Sequence, residues 1–586
     1  MAQTSASAPA DTRVVLDDWL FRADPDDVGL RQNWHSAPIV ADEWRKIRVP
    51  GTWEGLLGTD YDGIGWYRTE FELPALDDKK RGLCFMGVDD TAEVFVNGMK
   101  APFELRIGKK TPIDLAEFGR TGANTLAVRV VDTGGPGGLV KPVYFGTYER
   151  LDELCAGEHH AKPARTSPDW VKDAVIYEMY LRSFTPEGTL KAAMYRLDTL
   201  VQLGASVIWL MPIQPVGKEH RKGTLGSPYA VQDYYAVNPE FGTLEDLREF
   251  VRAAHQRGQK VILDWVANHT AWDCKLVSEH PDWFARDKSG KIRPPVPDWS
   301  DVAQLDYSKP GVRAYMTEAM LYWVREADID GFRCDVAGMV PLNFWEELRP
   351  RLDAAKPVMM LAEDDDPAQH LSAFDMTYDW HTYDALKGFG DSIVKPGAIA
   401  AILSEQSLDF PAGSLRMRFG SNHDKNAWDT PAATRYGPEG VKTVAALIFT
   451  MPGIPLIYNG DEIGNATRLP LFEKTVVDWE HEAPGMRALY ESLTKARREH
   501  ASLRRGEIRF FDNVLRAGVL GFTRFSPDDI TFVVLNLGKE PRSFNSGNEF
   551  PPHYKKLLGN FDINAGDKPR RITAPAFGYW VGAAIR

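Results

Sequence analysis

The feature that most constrains this chain is a rhythm between residues 174 and 460. Eight short apolar runs recur there: AVIYEMY (174–180), VIWLMPI (207–213), KVILDWV (260–266), GFRCDVA (331–337), VMMLAE (358–363), MTYDW (376–380), LRMRFGS (415–421) and IPLIYNG (454–460). Continuous apolar runs suit strands buried on both faces, and amphipathic segments of helical length separate them. Eight such units predict a closed (β/α)8 TIM barrel, whose chemistry gathers at the C-terminal ends of its strands. The interval between the third and fourth runs is the longest. Its excess, 270–306, is rich in Trp, Pro and Asp and is expected to form a small inserted domain over the site.

The flanks read differently. Residues 1–155 hold short alternating or aromatic runs broken by turn signals, such as WYRTEFELP, AEVFVNG and NTLAVRVVD, and predict a β-sandwich. A polar stretch without periodicity, Cys155 to Trp170, serves as a linker. The barrel is expected over 170–497. From 498 to 586 the runs FFDNVLRAG, VLGFTRFS, ITFVVLNLG, YKKLLGN and GYWVGAA predict a closing antiparallel β-sandwich. A chain of 586 residues is long enough for several such cores.

Composition excludes more than it assigns. A formal net charge of -13, with no basic stripe, argues against nucleic acid, whose phosphates demand clustered Lys and Arg. No run of about 18 apolar residues is present, so no membrane span is expected. The small, polar start lacks the pattern of a signal peptide and fits the mature end of an exported protein, so a periplasmic or extracellular setting is expected, with a cytoplasmic one left open. Cys84, Cys155, Cys274 and Cys334 are dispersed and include no CxxC, and no structural dependence on disulfides is expected.

Four acidic positions fall at predicted strand ends: Asp264 after the third, Asp335 on the fourth, Glu363 at the fifth and Asp424 after the seventh. Strand ends of a barrel converge on one rim, so these distant carboxylates are expected to meet. Their motifs, DWVANH (264–269), GFRCD (331–335), LAE (361–363) and SNHD (421–424), occur in order at barrel spacing. Together with SPYAVQDYY (227–235) and GIPLIYNGDEIG (453–464), they resemble the alpha-amylase family, glycoside hydrolase family 13.

That resemblance implies Asp335 as nucleophile, Glu363 as acid/base and Asp424 as the carboxylate that stabilises the transition state. It implies Tyr229, His269, Arg333 and His423 as residues lining the cleavage subsite. No cofactor is required by it, while calcium is an option, with Asn268 as a ligand and the insertion as domain B. The implied reaction is retaining hydrolysis of α-1,4-glucosidic bonds in an α-glucan or oligosaccharide partner. A glucosyl transferase or cyclic-glucan enzyme would use the same site, and a non-catalytic glycan binder would leave gaps in the acidic set. None is found.

Physical chemistry supports two unlike carboxyls. Acetal cleavage needs one group to protonate the leaving oxygen and another to capture the oxocarbenium-like centre. Arg333 and Asp335 share a strand face, so the guanidinium is expected to keep Asp335 ionised, while Cys334 faces the helices. Asp335 and Asp424 are expected to hold a proton on Glu363 by repulsion.

The match also departs from the family. Gly338 and Met339 stand where many starch-degrading members carry Lys-His, which points to a smaller, more apolar leaving-group side. The run Asp364-Asp365-Asp366 reads as a solvated loop. The N-terminal motifs resemble the jelly-roll domain of β-galactosidase-type hydrolases, with Trp53, Trp66 and Tyr67 as core or interdomain wall in preference to a glycan platform.

Overall fold

The computed structural model describes residues 14–57, 61–73, 80–106, 110–134, 137–148, 154–387, 396–546, 550, 553–563 and 571–585. The chain divides into two compact units, 1–160 and 161–586.

The first unit pairs a six-stranded antiparallel sheet with a four-stranded one. Its two longest strands, Gly63–Leu73 and Gly122–Asp132, run antiparallel to each other along all eleven residues. Alternate side chains from both sheets, among them Phe21, Val94 and Val128 from one and Leu83 and Phe85 from the other, fill a shared core. That is the expected period-two pattern of a sandwich. Trp53 and Tyr67 lie fully buried in this core, and Trp66 is buried with Trp34, Trp44 and Phe95. All three aromatics are core, as expected.

The cysteine expectation is corrected here. Cys84 and Cys155 form a disulfide across 71 positions with Cα atoms 5.5 Å apart, while Cys274 and Cys334 are free and buried. Sequence separation says nothing about which strand end the chain returns to, so the pair could not be read from spacing. A cross-link closing so long a loop restricts the unfolded chain and stabilises the fold by about 2–4 kcal/mol.

The second unit contains the barrel. Ile176–Met179, Val207–Leu210, Lys260–Trp265, Gly331–Cys334, Met359–Ala362, Met376–Tyr378, Leu415–Arg418 and Ile454–Tyr458 close in that order, all parallel. Each lies within one of the eight apolar runs. Inward residues such as Ile176, Val207, Trp209, Ile262, Met359, Leu361, Met417 and Leu456 fill the barrel, and outward ones such as Val261, Phe332 and Met360 pack in the layer beneath the helices. Cys334 belongs to the outward set, as the alternation required. Gly331 is fixed by space: its φ is +153°, and a Cβ there would sit 2.1 Å from the Met359 carbonyl oxygen.

Helix starts follow local chemistry. Leu244–Gln256 begins at Thr243, whose hydroxyl accepts from the Asp246 amide while Asp246 accepts from the Thr243 amide, a reciprocal capping box. Across 269–306, a two-stranded sheet pairs His269–Ala271 with Val302–Gln304, and a short α-helix, Lys275–Glu279, and a 3-10 turn, Pro281–Trp283, lie between.

The C-terminal segment belongs to the same unit as the barrel. It forms a five-stranded antiparallel sheet and a two-stranded one around Phe532, Val534, Phe544, Ile572 and Trp580. The opposite face of the larger sheet, including Phe522, Val533 and Val581, joins the core under the barrel helices. One run differs from its reading: within FFDNVLRAG, Asp512–Arg516 is a helical turn, with Val514 buried. An acidic first residue and the left-handed Gly518 (φ +77°) after it suit a short helix better than a strand.

Candidate active site

Where the barrel strands end, the inward positions change from apolar to charged. Glu178, Asp264, Arg333, Asp335 and Glu363 each continue the inward alternation of the first, third, fourth and fifth strands. They converge on Arg333, which is fully buried.

Arg333 organises the site. Its Nη1 donates to Asp264 Oδ1 at 2.9 Å and to Asp335 Oδ1 at 3.0 Å, its Nη2 ion-pairs with Glu363 Oε2 at 2.8 Å, and its Nε donates to the Tyr378 hydroxyl at 3.1 Å. The guanidinium carbon lies 5.2 Å from the Trp209 ring centroid, 5.7 Å from Tyr229 and 5.6 Å from Tyr378. A planar, permanently charged head in a cage of rings is a rigid anchor.

The expectation that Arg333 favours Asp335 alone is corrected. The guanidinium is shared between Asp335 and Glu363. Burial pushes both carboxyls above the usual range, Asp335 strongly so; Arg333 opposes this in each case, and neighbouring carboxylates add to the rise. Two buried acids on one cation titrate as a pair rather than separately. Glu363 Oε2 also accepts from the Val336 amide at 2.8 Å, while Asp335 Oδ2 faces His269 Nε2 at 4.0 Å.

Asp264 does not stand on the rim as a free acid. It is fully buried, with Oδ1 on Arg333 and Oδ2 accepting from Trp209 Nε1 and the Tyr229 hydroxyl, each at 3.1 Å. It fixes side chains that face the cleft.

The two histidines differ in charge. Burial lowers His269 to about 4, so its ring is neutral at ordinary pH. Burial also disfavours charge on His423, but Asp424 and Glu178 more than reverse this and raise it to about 9. His423 Nδ1 lies 2.5 Å from Glu178 Oε1, and Nε2 lies 2.7 Å from the Tyr229 hydroxyl and 3.4 Å from Asp424 Oδ2. Tyr229 lies nearly parallel to that imidazole, with ring centres 5.4 Å apart.

Glu178, Trp209 and Tyr378 were missed in the sequence. An acid inside the apolar run AVIYEMY was a usable signal for Glu178, because a lone buried charge demands a partner. Trp209 and Tyr378 carried no signal beyond their strands. Replacing Glu178 with Gln removes one of the two carboxylates that hold the proton on His423. A folded-state value raised above the ordinary 6.5 means the charged network is intact at low pH and is lost as pH rises through about 9. With Gln at this position, the alkaline limb of a kcat/KM profile is expected to move down by about one pH unit or more. An unmoved limb would separate His423 from that limb.

The acidic run after Glu363 is more ordered than a solvated loop. Asp364 accepts from the Asp365 amide at 2.8 Å and from Gln369 Nε2 at 2.6 Å, and only Asp366 of the three is exposed. The same carboxyl explains Gly338: a Cβ there would lie 2.9 to 3.0 Å from its atoms. Met339 is 42% exposed beside it.

The Asn268 side-chain nitrogen lies 3.3 Å from His269 Nδ1, and its backbone carbonyl accepts from the Leu305 amide. Among the described residues, the only convergence of three or more acidic, His or Cys side chains at metal-binding distances is Asp89, Asp90 and Asp132, in the other unit.

Comparison with known proteins agrees with the geometry. The family model for the alpha amylase catalytic domain matches residues 160–301 and 297–501. The chain belongs to the alpha-amylase family. An alpha-amylase of Haloarcula japonica is 30% identical over 394 residues, which is 64% of this chain and 57% of the relative's own length. A cyclomaltodextrinase of Geobacillus thermopakistaniensis is 28% identical over 64% of this chain and 70% of its own. Among solved structures, a maltogenic alpha-amylase of Thermotoga neapolitana aligns with a TM-score of 0.65 at 32% identity, covering 71% of this chain and all of that one. The family read from four short motifs is thus borne out, as is the barrel.

Proposed function

We propose that this chain is a retaining hydrolase of α-1,4-glucosidic bonds, with Asp335 as nucleophile, Glu363 as acid/base and Asp424 as the carboxylate beside the developing positive charge. The observation that carries this is the sharing of Arg333. Two carboxyl oxygens held on the two terminal nitrogens of one guanidinium lie close together, which suits the separation of about 5 Å in retaining pairs better than the 6.5–9.5 Å that leaves room for water.

The steps balance with one proton. Asp335 attacks C1 while Glu363 gives its proton to the glycosidic oxygen, releasing the leaving sugar and forming a β-linked glycosyl ester. Water then gives a proton to Glu363 and its oxygen to C1, and Asp335 leaves as carboxylate. Cationic His423 and neutral His269 donate to sugar hydroxyls, and Tyr229 lies against the ring. Relatives called alpha-amylase, cyclomaltodextrinase and neopullulanase support an α-glucan or malto-oligosaccharide as substrate.

Gly338 and Met339 favour short or cyclic glucans, or transfer to a second sugar, over long starch, because Gly338, set against the Asp364 carboxyl, offers no side chain to contact a leaving sugar. Incubation with amylose, cyclodextrins, maltotriose and maltose, with products separated over time, tests this. Short and cyclic substrates are expected to turn over faster than amylose, and random internal cleavage of amylose would contradict the preference. The Cys84–Cys155 disulfide supports an oxidising, periplasmic or extracellular setting. Among the described residues, no helix is long and apolar enough to cross a membrane.

A further inference from the structure

We propose that Asp89, Asp90 and Asp132, together with Glu54, hold a hard divalent cation of calcium's size in the N-terminal sandwich. The site belongs to the first unit and uses no residue of the catalytic proposal.

The topology brings the acids together. Asp132 ends the strand Gly122–Asp132, and the neighbouring strand Thr91–Val96 runs antiparallel from that same end, with Thr91 opposite Val131. Asp89 and Asp90 therefore enter the sheet beside Asp132, and one carboxylate oxygen from each of the three lies within 4.8 Å of the other two. Oxygens so spaced can share one ion at the calcium bond length of about 2.3–2.6 Å.

Exposed acids often cluster without an ion, but here one of them is interior. Asp132 is 2% exposed, and its Oδ2 is buried with no hydrogen-bond partner among the described residues. Glu54 Oε2 is buried and unpartnered in the same way. The charges acting on Asp89 are those of Asp90, Asp132 and Glu54, and those acting on Asp132 are of Asp62, Asp90 and Glu54, all negative. Buried carboxylates are rarely left without a base or a metal to balance them.

The carboxyls are also held in place. Asp90 Oδ2 accepts from the Thr133 amide at 2.9 Å and from its hydroxyl at 2.6 Å, Asp132 Oδ1 from the Gly134 amide at 3.1 Å, and Glu54 Oε1 from the Gly137 amide at 3.0 Å. Each is thus tied through one oxygen to the segment that follows Asp132 and keeps a second oxygen for a ligand, the way outer hydrogen bonds orient metal-binding carboxylates. Gly137 is required by space: a Cβ there would lie 2.7 Å from Asp132 Oδ2 and 2.3 Å from the Trp53 ring. A donor set of oxygens alone selects a hard ion, and calcium tolerates irregular carboxylate geometry where magnesium demands a near-ideal octahedron.

Trp53 supplies the readout. Its ring and Asp132 Oδ2 flank the same glycine, so terbium bound here should emit when the indole is excited. The full chain, stripped with chelator, is expected to show sensitised terbium emission that calcium displaces, and calcium is expected to raise its melting midpoint by about 5 °C. Asp132→Asn and Asp89→Asn should each weaken calcium binding at least about tenfold. Stability in chelator separates an ion site from a merely structural cluster. Each variant removes repulsion, so it should melt no lower than the wild-type chain without calcium and below it with calcium. Asp89 is half-buried, so its variant keeps the comparison if Asp132→Asn does not fold. Absence of sensitised emission, equal calcium affinity in the wild-type chain and the variants, or variants that melt below the wild-type chain equally with and without calcium would overturn the site.

Discussion

Asp335→Asn is expected to lower kcat/KM at least about 10³-fold on every α-glucoside the chain cleaves, a loss of about 4 kcal/mol of transition-state stabilisation. The amide keeps the shape of the carboxyl and can still accept from Arg333 Nη1, now 3.0 Å from Oδ1, but it cannot form the glycosyl ester. It also removes one of three carboxylates gathered around a single buried guanidinium. Thermal stability is therefore expected to change little, since relieving carboxylate crowding offsets the weakened pair. Steady-state kinetics beside a melting curve separates the two effects. Near-normal turnover would remove Asp335 from the mechanism, and a collapsed melting temperature would make the kinetic loss a folding effect.

Glu363→Gln is expected to discriminate by leaving group. Malto-oligosaccharides need their departing oxygen protonated and should slow by about 10²–10⁴-fold. A glucosyl fluoride or dinitrophenyl glucoside needs no such proton, and its first step should slow far less. Azide should then accelerate turnover of the activated substrate, because a nucleophile that is already an anion needs no base, and the glycosyl azide should carry the α configuration of a double displacement. Equal slowing of natural and activated substrates would show that Glu363 acts in binding or positioning rather than in proton transfer.

The parts of this protein legible in its sequence are those with a strong local cause. Strands buried on both faces need continuous apolar runs, and all eight barrel strands lie inside runs visible by eye. Period-two alternation put Arg333 on the face of Asp335 and Cys334 on the other, which the packing bears out. What could not be read depends on pairings across the fold. The strand alternation shows that Arg333 reaches the site but not that Glu363 shares it, because the fifth strand's register against the fourth, Arg333 opposite Leu361, places Glu363 over the guanidinium. The charge on His423 is held by the adjacent Asp424 together with Glu178, and Glu178 lies 245 positions away. The Cys84–Cys155 bridge and the pressure of Asp364 on Gly338 have the same origin: both are contacts that only folding creates.

The central claim is that Asp335 becomes covalently bonded to the sugar, and trapping tests it most directly. A 5-fluoro-α-glucosyl or -maltosyl fluoride slows both steps while its leaving group lets the first proceed, so the glycosyl-enzyme should accumulate. Mass spectrometry of the intact chain, then of its proteolytic peptides, is expected to find one added glycosyl mass, carried on Asp335 within GFRCD. A label on Glu363 or Asp424, or release of β-configured sugar with no labelled peptide, would contradict the account.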